Sequence, residues 1–284
     1  MSLLVTGANS YIAGYLSDVL DRTGIEYIAS DRTDFEYTDI ESIRSFFTGK
    51  DINAVIHLAG ALQNDNFSDL FGVNIYGIYN LLMVCKEKGI SHFTFASGNN
   101  VYADCSGKSL CETDPCQPDS KNRYAFSKYV GELLIRDVCE RTGISFANVR
   151  IADVYGPKQK HGNLLKAIVR NIEQGQPLEL YGKGTRVRDY VFVKDVAEGL
   201  AYISKNKLTG NLNLGTGVGT SVKQLLDIVN DLYSNTLTIE HREVTVEDCS
   251  SVVLNCDRLK QRGFYAKYSV IDGMTEILKG IKNE

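Results

Sequence analysis

No surplus of positive charge runs through this sequence. Lysine and arginine number 31 against 35 aspartate and glutamate, the net charge is −4, and the basic residues are dispersed. That removes the electrostatic footprint of a general nucleic-acid or acidic-membrane binder. No apolar stretch reaches the roughly 18 residues of a membrane span. No basic segment followed by an apolar one opens the chain, so a cytoplasmic protein is expected. Internal repeats and low-complexity tracts are missing too. The seven cysteines are an odd number without a secretion signal, which argues against disulfide stapling. Cys105, Cys111 and Cys116 crowd one loop, but their spacing matches no common zinc pattern and no histidine lies near, so no metal site is expected.

What is present is enough apolar residue, 43% of 284, to bury a large core. Short runs rich in Val, Ile and Phe ("LLVTG", "EYIAS", "AVIHLAG", "HFTFAS", "SFANVRI") alternate with helical patterns, the signature of βαβ units. The fold class read from this is α/β: a Rossmann-type, doubly wound parallel sheet with a smaller mixed α/β lobe. Asp69 to Lys88 and Arg123 to Thr142 carry apolar residues at helical spacing, and Gly89 and Gly143 suit C-terminal caps. After Gly156-Pro157 the regularity weakens. A dinucleotide-binding part over residues 1–157 and a substrate lobe over 158–284 are expected, interleaved because strands near 145–151 and 211–215 return to the first sheet.

The stretch "TGANSYIAGY" follows the first strand, where a glycine-rich turn offers backbone N–H groups and a helix dipole to a pyrophosphate. Gly7, Ser10 and Ala13 stand at the three positions that such a turn usually gives to glycine, and Gly14 lies just outside. Asp31 follows the second strand about twenty residues on, where a carboxylate accepts from a ribose diol and favours NAD. Arg32 beside it keeps NADP open, since a guanidinium suits an extra phosphate. Tyr124 and Lys128, in "YAFSK", share a helix face at i and i+4. An ammonium beside a phenol lowers the phenol's pKa and suits the tyrosine to acid/base work during hydride transfer.

These pieces, with "YTDIES", "NIYGIYNLL", "ASGNNVYA", "VRIADVYGP", "GTRVRDYVFVKDVAEG" and "NLNLGTG", run in the order found in the extended short-chain dehydrogenase/reductase family. Over nearly its full length the chain resembles that family's nucleotide-sugar epimerases, dehydratases and reductases. The resemblance implies that Tyr124 is the general acid/base and that Lys128 binds the nicotinamide ribose. It puts Tyr11, Ile12, Ser97 and Ile151 at the cofactor, Asp39 and Ile40 at the adenine, and Leu58, Ala59 and Gly60 along the pyrophosphate and ribose. Asn74 supports the strand ends. Gly98, Asn99, Asp153, Asn163 and Arg188 fall at the substrate, Arg188 and Asn163 at its diphosphate. Other roles fit some of these residues as well: Asp39 suits a helix cap, Asn74 a core amide, and Arg188 with Asp189 a surface ion pair.

Several positions depart from the family pattern. The serine or threonine expected three residues before the valine of "VY" is Gly98, with Ser97 the nearest substitute, and losing such a donor costs on the order of 3 kcal/mol of transition-state stabilisation. The Asp-Glu pair of the dehydratases is Asn99-Asn100, which exchanges no protons. Asp153 stands where an asparagine is expected, and Thr245 where a second diphosphate arginine is expected, leaving Arg186 or Arg242 to compensate. The resemblance therefore implies an NAD(P)-dependent enzyme acting on a nucleotide-diphosphate sugar, in first place a 4-epimerase. A 4-ketoreductase and a dinucleotide sensor without turnover are the alternatives. A homodimer through the two long helices is expected. Ser10→Gly should preserve or tighten NAD(H) affinity, measured by fluorescence titration; a large loss would show that the hydroxyl has become essential to the cradle.

Overall fold

A computed structural model of the chain describes residues 2–62, 66–103, 107–119, 121–159, 164–234 and 236–282. Its strands are β1 (Leu3–Thr6), β2 (Tyr27–Ser30), β3 (Ala54–His57), β4 (His92–Gly98), β5 (Ser109–Leu110), β6 (Ser145–Ile151), β7 (Asp153–Tyr155), β8 (Leu178–Tyr181), β9 (Val187–Phe192), β10 (Gly210–Leu214), β11 (Gly219–Ser221), β12 (Ile239–Arg242) and β13 (Ser251–Leu254). The chain divides into two compact units. One comprises Met1–Ala103, Glu112–Ile151 and Ala197–Asn213, and the other Asp104–Cys111, Ala152–Val196 and Leu214–Glu284. The breaks fall after Ala103, Cys111, Ile151, Val196 and Asn213.

The first unit holds a six-stranded sheet in the order β10-β6-β4-β3-β1-β2. Its ladders from β2 through β6 are parallel. Residues Leu3–Thr6 and Ala54–His57 are buried along their whole length, as strands covered by helices on both faces must be. Leu4, Val55, Phe93 and Phe95 from the strands pack with Ile78, Leu81, Leu82, Ile135 and Val138 from two helices into one core. From β1 the chain goes to β2 on one side and then returns to β3 on the other. The order reverses between β1 and β3, the place where open α/β sheets bind ligands beyond the carboxyl ends of their strands.

Two helices close over this sheet. The helix over Arg123–Thr142 is capped by Asn122 and ends at Gly143 in the left-handed conformation. The other runs from Phe67 to Glu87 and widens over Gly72–Gly77 to i→i+5 hydrogen bonding, a local bulge found at functional positions. By length and composition alone this helix is apolar enough to cross a membrane, which the reading that no apolar stretch reaches that length had missed. Its apolar surface has another use here: Leu70, Ile78, Leu81, Leu82, Val84 and Cys85 are buried, most of them in the core beneath the sheet.

The second unit contains the strand order β11-β9-β13-β5, with β7 also on β9, and a separate β12-β8 pair. Its core gathers Tyr155, Phe192, Leu225, Leu226, Met274 and Leu278. The segment Val253 to Phe264 holds the end of β13 and a short helix over Asp257–Gln261. Asp189, fully buried, knots the unit together. It accepts from Thr216 N (3.0 Å), Thr216 Oγ1 (2.6 Å), Gly217 N (3.0 Å) and Leu254 N (3.4 Å). Burial still pushes its carboxyl above the usual range, against those hydrogen bonds. Asp189→Ala leaves these donors unpaired and should cost about 3 kcal/mol or more. Asp189→Asn, which keeps an acceptor oxygen, should lose less; urea denaturation would check both.

Candidate functional site

At the reversal between β1 and β3, Gly7 adopts φ 74°, and a Cβ there would stand 2.7 Å from Ala59 N and 3.0 Å from the Leu58 carbonyl carbon. Only glycine lets the turn after β1 lie against the Leu58–Gly60 turn after β3. Ser10, in extended conformation, caps the helix Tyr11–Thr23 by accepting from Ala13 N at 3.3 Å. Sequence reading had not given it this role. Asp31 accepts from Thr33 N (2.7 Å), Thr33 Oγ1 (2.7 Å) and Asn9 Nδ2. These bonds, Thr33's hydroxyl first, hold its carboxyl below the usual range and tie the acid to the loop. Arg32 beside it is exposed. Asp39 caps the helix that begins at Ile40, accepting from Glu41 N at 2.9 Å, so the capping role is present.

The cradle fits a dinucleotide: a glycine whose missing Cβ allows close backbone approach, a helix N-terminus, and an ionised acid at the end of β2. Asn74 is 2% exposed. It accepts from Ala61 N (2.7 Å) and donates to Ala61 O (3.1 Å) and Ser127 Oγ (3.0 Å). Its amide is thus spent on the chain, the supporting role read for it: it positions the Leu58–Gly60 turn against the helix that carries Tyr124.

Along that helix Tyr124, Lys128 and Glu132 stand on one face. Lys128 is buried, and its Nζ donates to Ala96 O at 3.0 Å. The ammonium lies 4.6 Å from the Phe95 ring centre and 5.6 Å from that of Tyr124. Burial brings Lys128 down to about 8, against the pull of Glu132. Burial also pushes the Tyr124 phenol up to about 12. His57, which donates to or accepts from Thr6 Oγ1 at 2.8 Å, is brought down to about 3 by burial and then by Lys128, so it stays neutral at working pH.

Ser97 does not take the place of the missing hydroxyl. Its Oγ donates to Glu132 Oε1 at 2.5 Å, so its hydroxyl hydrogen is committed to the carboxylate. Glu132 in turn pairs with Arg150, each side chain 3% exposed. Arg150 donates from Nε and Nη2 to the carboxylate at 2.7–3.1 Å and from Nη1 to Tyr102 Oη at 2.9 Å. Sequence reading missed Glu132 and Arg150. The signal was there for Glu132, which continues the Tyr124, Lys128 spacing by one more turn. Ile151, next to Arg150, is buried at the end of β6, paired with Gly98. Asn99 is buried in the short turn Asn99–Val101.

In the second unit, Arg188 donates to Val187 O (2.8 Å), Ser250 O (3.1 Å) and Ser250 Oγ (3.0 Å). Its Nε lies 3.9 Å from Asp153 Oδ2, so the unexpected carboxylate has a cation beside it. The ion pair considered between Arg188 and Asp189 is not formed, because Asp189 faces inward to Thr216 and Leu254. Arg242 is committed to Glu179 and Glu240, whereas Arg186 lies 3.8 Å from Asp248. Asn163 and Cys105 lie outside the described residues.

A family model described as NAD dependent epimerase/dehydratase family matches residues 3–215. A protein of Methanocaldococcus jannaschii, provisionally named a UDP-glucose 4-epimerase, is 26% identical over 306 residues, spanning 99% of this chain and 98% of its own. The dTDP-D-glucose 4,6-dehydratase of Mus musculus is 25% identical over 232 residues, 78% of this chain and 63% of its own. Among solved structures, the UDP-glucose 4-epimerase of Thermus thermophilus in complex with NAD matches with a TM-score of 0.87 and 26% identity over 99% of both chains.

The buried lysine generates a prediction. Its ordinary pKa is about 10.4, so between about 8 and 10.4 the folded chain holds fewer protons than the unfolded one. Stability must rise with pH across that window, and the full cost of the buried ammonium is present below it. The difference amounts to about 3 kcal/mol. Lys128→Met should flatten that rise relative to the wild-type chain in denaturant titrations from pH 7 to 11.

Proposed function

The chain belongs to the NAD dependent epimerase/dehydratase family, and within it we propose a nucleotide-sugar 4-epimerase that uses Tyr124 as acid and base. The observation that carries this reading is the Tyr124–Lys128 pair, set on one buried helix face beside the turn that Gly7 and Asn74 hold in place. The Gly7–Ile12 turn, Asp31, Leu58–Gly60 and Lys128 would hold NAD, which supplies a hydride acceptor and donor for the sugar carbon. Tyr124, as phenolate, takes the proton of the 4-hydroxyl and later returns it to the 4-oxygen. Burial pushes the Tyr124 phenol up, and the lowering expected of the neighbouring Lys128 ammonium would have to work against it. An amide pair at Asn99 and Asn100 cannot supply the acid and base of water elimination, which weighs against a 4,6-dehydratase.

In the second unit Arg188 offers the diphosphate a cation, with Asp153 beside it. UDP-glucose and UDP-galactose are the first substrates to test, since two of the relatives bear the UDP-glucose 4-epimerase name. Tyr76, Tyr79, Phe126 and Leu133, 39–55% exposed on the two long helices, support a homodimer formed through that face.

Purified protein should interconvert the two sugars without net NADH formation, read by NMR of the anomeric signals. Tyr124→Phe should lower kcat by about 10² to 10⁴ while retaining NAD. Unchanged turnover in that variant, or stoichiometric NADH consumption on a 4-keto sugar, would overturn the epimerase assignment.

A further inference from the structure

The site has an unfilled requirement and an unused group next to it. Hydride transfer at a carbinol carbon gains from a second hydrogen-bonding group on the oxygen, beyond the proton acceptor, because charge builds there in the transition state. Gly98 has no side chain to give, and Ser97 is held by Glu132 at 2.5 Å. A Cβ built on Gly98 would lie 3.0 Å from Asn100 Oδ1 and 3.7 Å from Asn100 Cγ. The Asn100 amide therefore stands where a side chain at position 98 would go.

That Oδ1 is shut off from solvent and has no hydrogen-bond partner among the described residues. Buried amide oxygens are paired in the great majority of cases, and one left alone calls for a reason, a catalytic role among them. The short turn Asn99–Val101 packs against the helix that carries Tyr124, and Lys128 bonds Ala96 O two residues before Gly98. The end of β4 and the helix face of Tyr124 and Lys128 are thus held together within one unit. An amide carries an acceptor at one end and two donor hydrogens at the other, alike in shape. Turned about its Cβ–Cγ axis, it offers N–H where Oδ1 now stands.

We propose that Asn100 is the hydrogen-bonding partner of the substrate's reacting oxygen, replacing from two residues downstream the hydroxyl that Gly98 does not have. The pairing of Gly98 with Asn100 is then reciprocal: the glycine leaves the room that the amide uses. The role rests on the nucleotide-sugar reading above, and it adds a residue that neither Tyr124 nor Lys128 accounts for.

Two measurements test it. In turnover, Asn100→Ala should lower kcat by about 10²-fold with KM within about threefold and NAD content unchanged. The double variant Gly98→Ser/Asn100→Ala, in which a serine hydroxyl occupies the vacated space, should recover at least a tenth of wild-type kcat. A kcat for Asn100→Ala within about threefold of wild type, or a loss that Gly98→Ser fails to restore, overturns the proposal.

The second measurement does not depend on turnover. In the Tyr124→Phe background loaded with NAD, calorimetric titration compares UDP-glucose with UDP-4-deoxyglucose. Removing the 4-hydroxyl should weaken binding about fivefold or more with Asn100 present and leave it unchanged in Asn100→Ala. Equal ligand dependence in both proteins, or no measurable binding of either sugar, overturns the proposal. Failure of the epimerase reading is separable, because it shows as wild-type protein that leaves UDP-glucose unconverted while the calorimetric difference stands.

Discussion

The buried pair of Glu132 and Arg150 is the interaction on which the catalytic half of this molecule depends. A carboxylate and a guanidinium that are each 3% exposed are costly to desolvate, and here they are offset by their mutual bonds and by those to Ser97, Tyr102 and Glu112 O. Ser97 and Arg150 come from adjacent parallel strands and Glu132 from the covering helix. Tyr102 links the guanidinium to Asn213, whose backbone N–H reaches Glu112. The network fixes where the ends of β4 and β6 stand relative to the helix. Lys128 and Tyr124 lie one and two turns up the same face, so their placement follows from it.

That anchoring explains why the site can hold a lysine in a nearly dry position. Lys128 has one carbonyl, one aromatic face and a carboxylate one turn away to offset its burial. The result is an ammonium poised near its titration point beside a phenol that burial alone would keep protonated. Loss of freedom at the other side of the site has the same origin. Gly7 and Gly60 have no Cβ where Ala59, Asn74 and Lys128 crowd together, and Asn74 clamps the turn after β3 to the helix through Ser127. A rigid set of turns at the reversal of strand order is what pre-organises a dinucleotide site.

The alternation of apolar runs and helical patterns, Gly7, Asp31 and the Tyr124–Lys128 spacing were all legible in the amino-acid order, because they depend on local periodicity and on backbone rules that act over a few residues. So were the caps at Gly143 and Asp39. Residues whose partners come from distant segments were not. Ser97 reads as a catalytic substitute until Glu132, 35 residues away, is seen to hold it. Arg188 and Asp189 read as an ion pair until Asp189 turns to Thr216 and Leu254. The helix over Phe67–Glu87 passes for a membrane span by composition, and only its packing against the sheet shows where its apolar face goes. Order along the chain settles which residues share a strand or a helix face, since φ/ψ preferences and period are local. Which of two neighbouring polar groups faces a ligand and which is spent inside is decided by long-range pairing, since buried hydrogen bonds are satisfied by whatever the fold brings within reach.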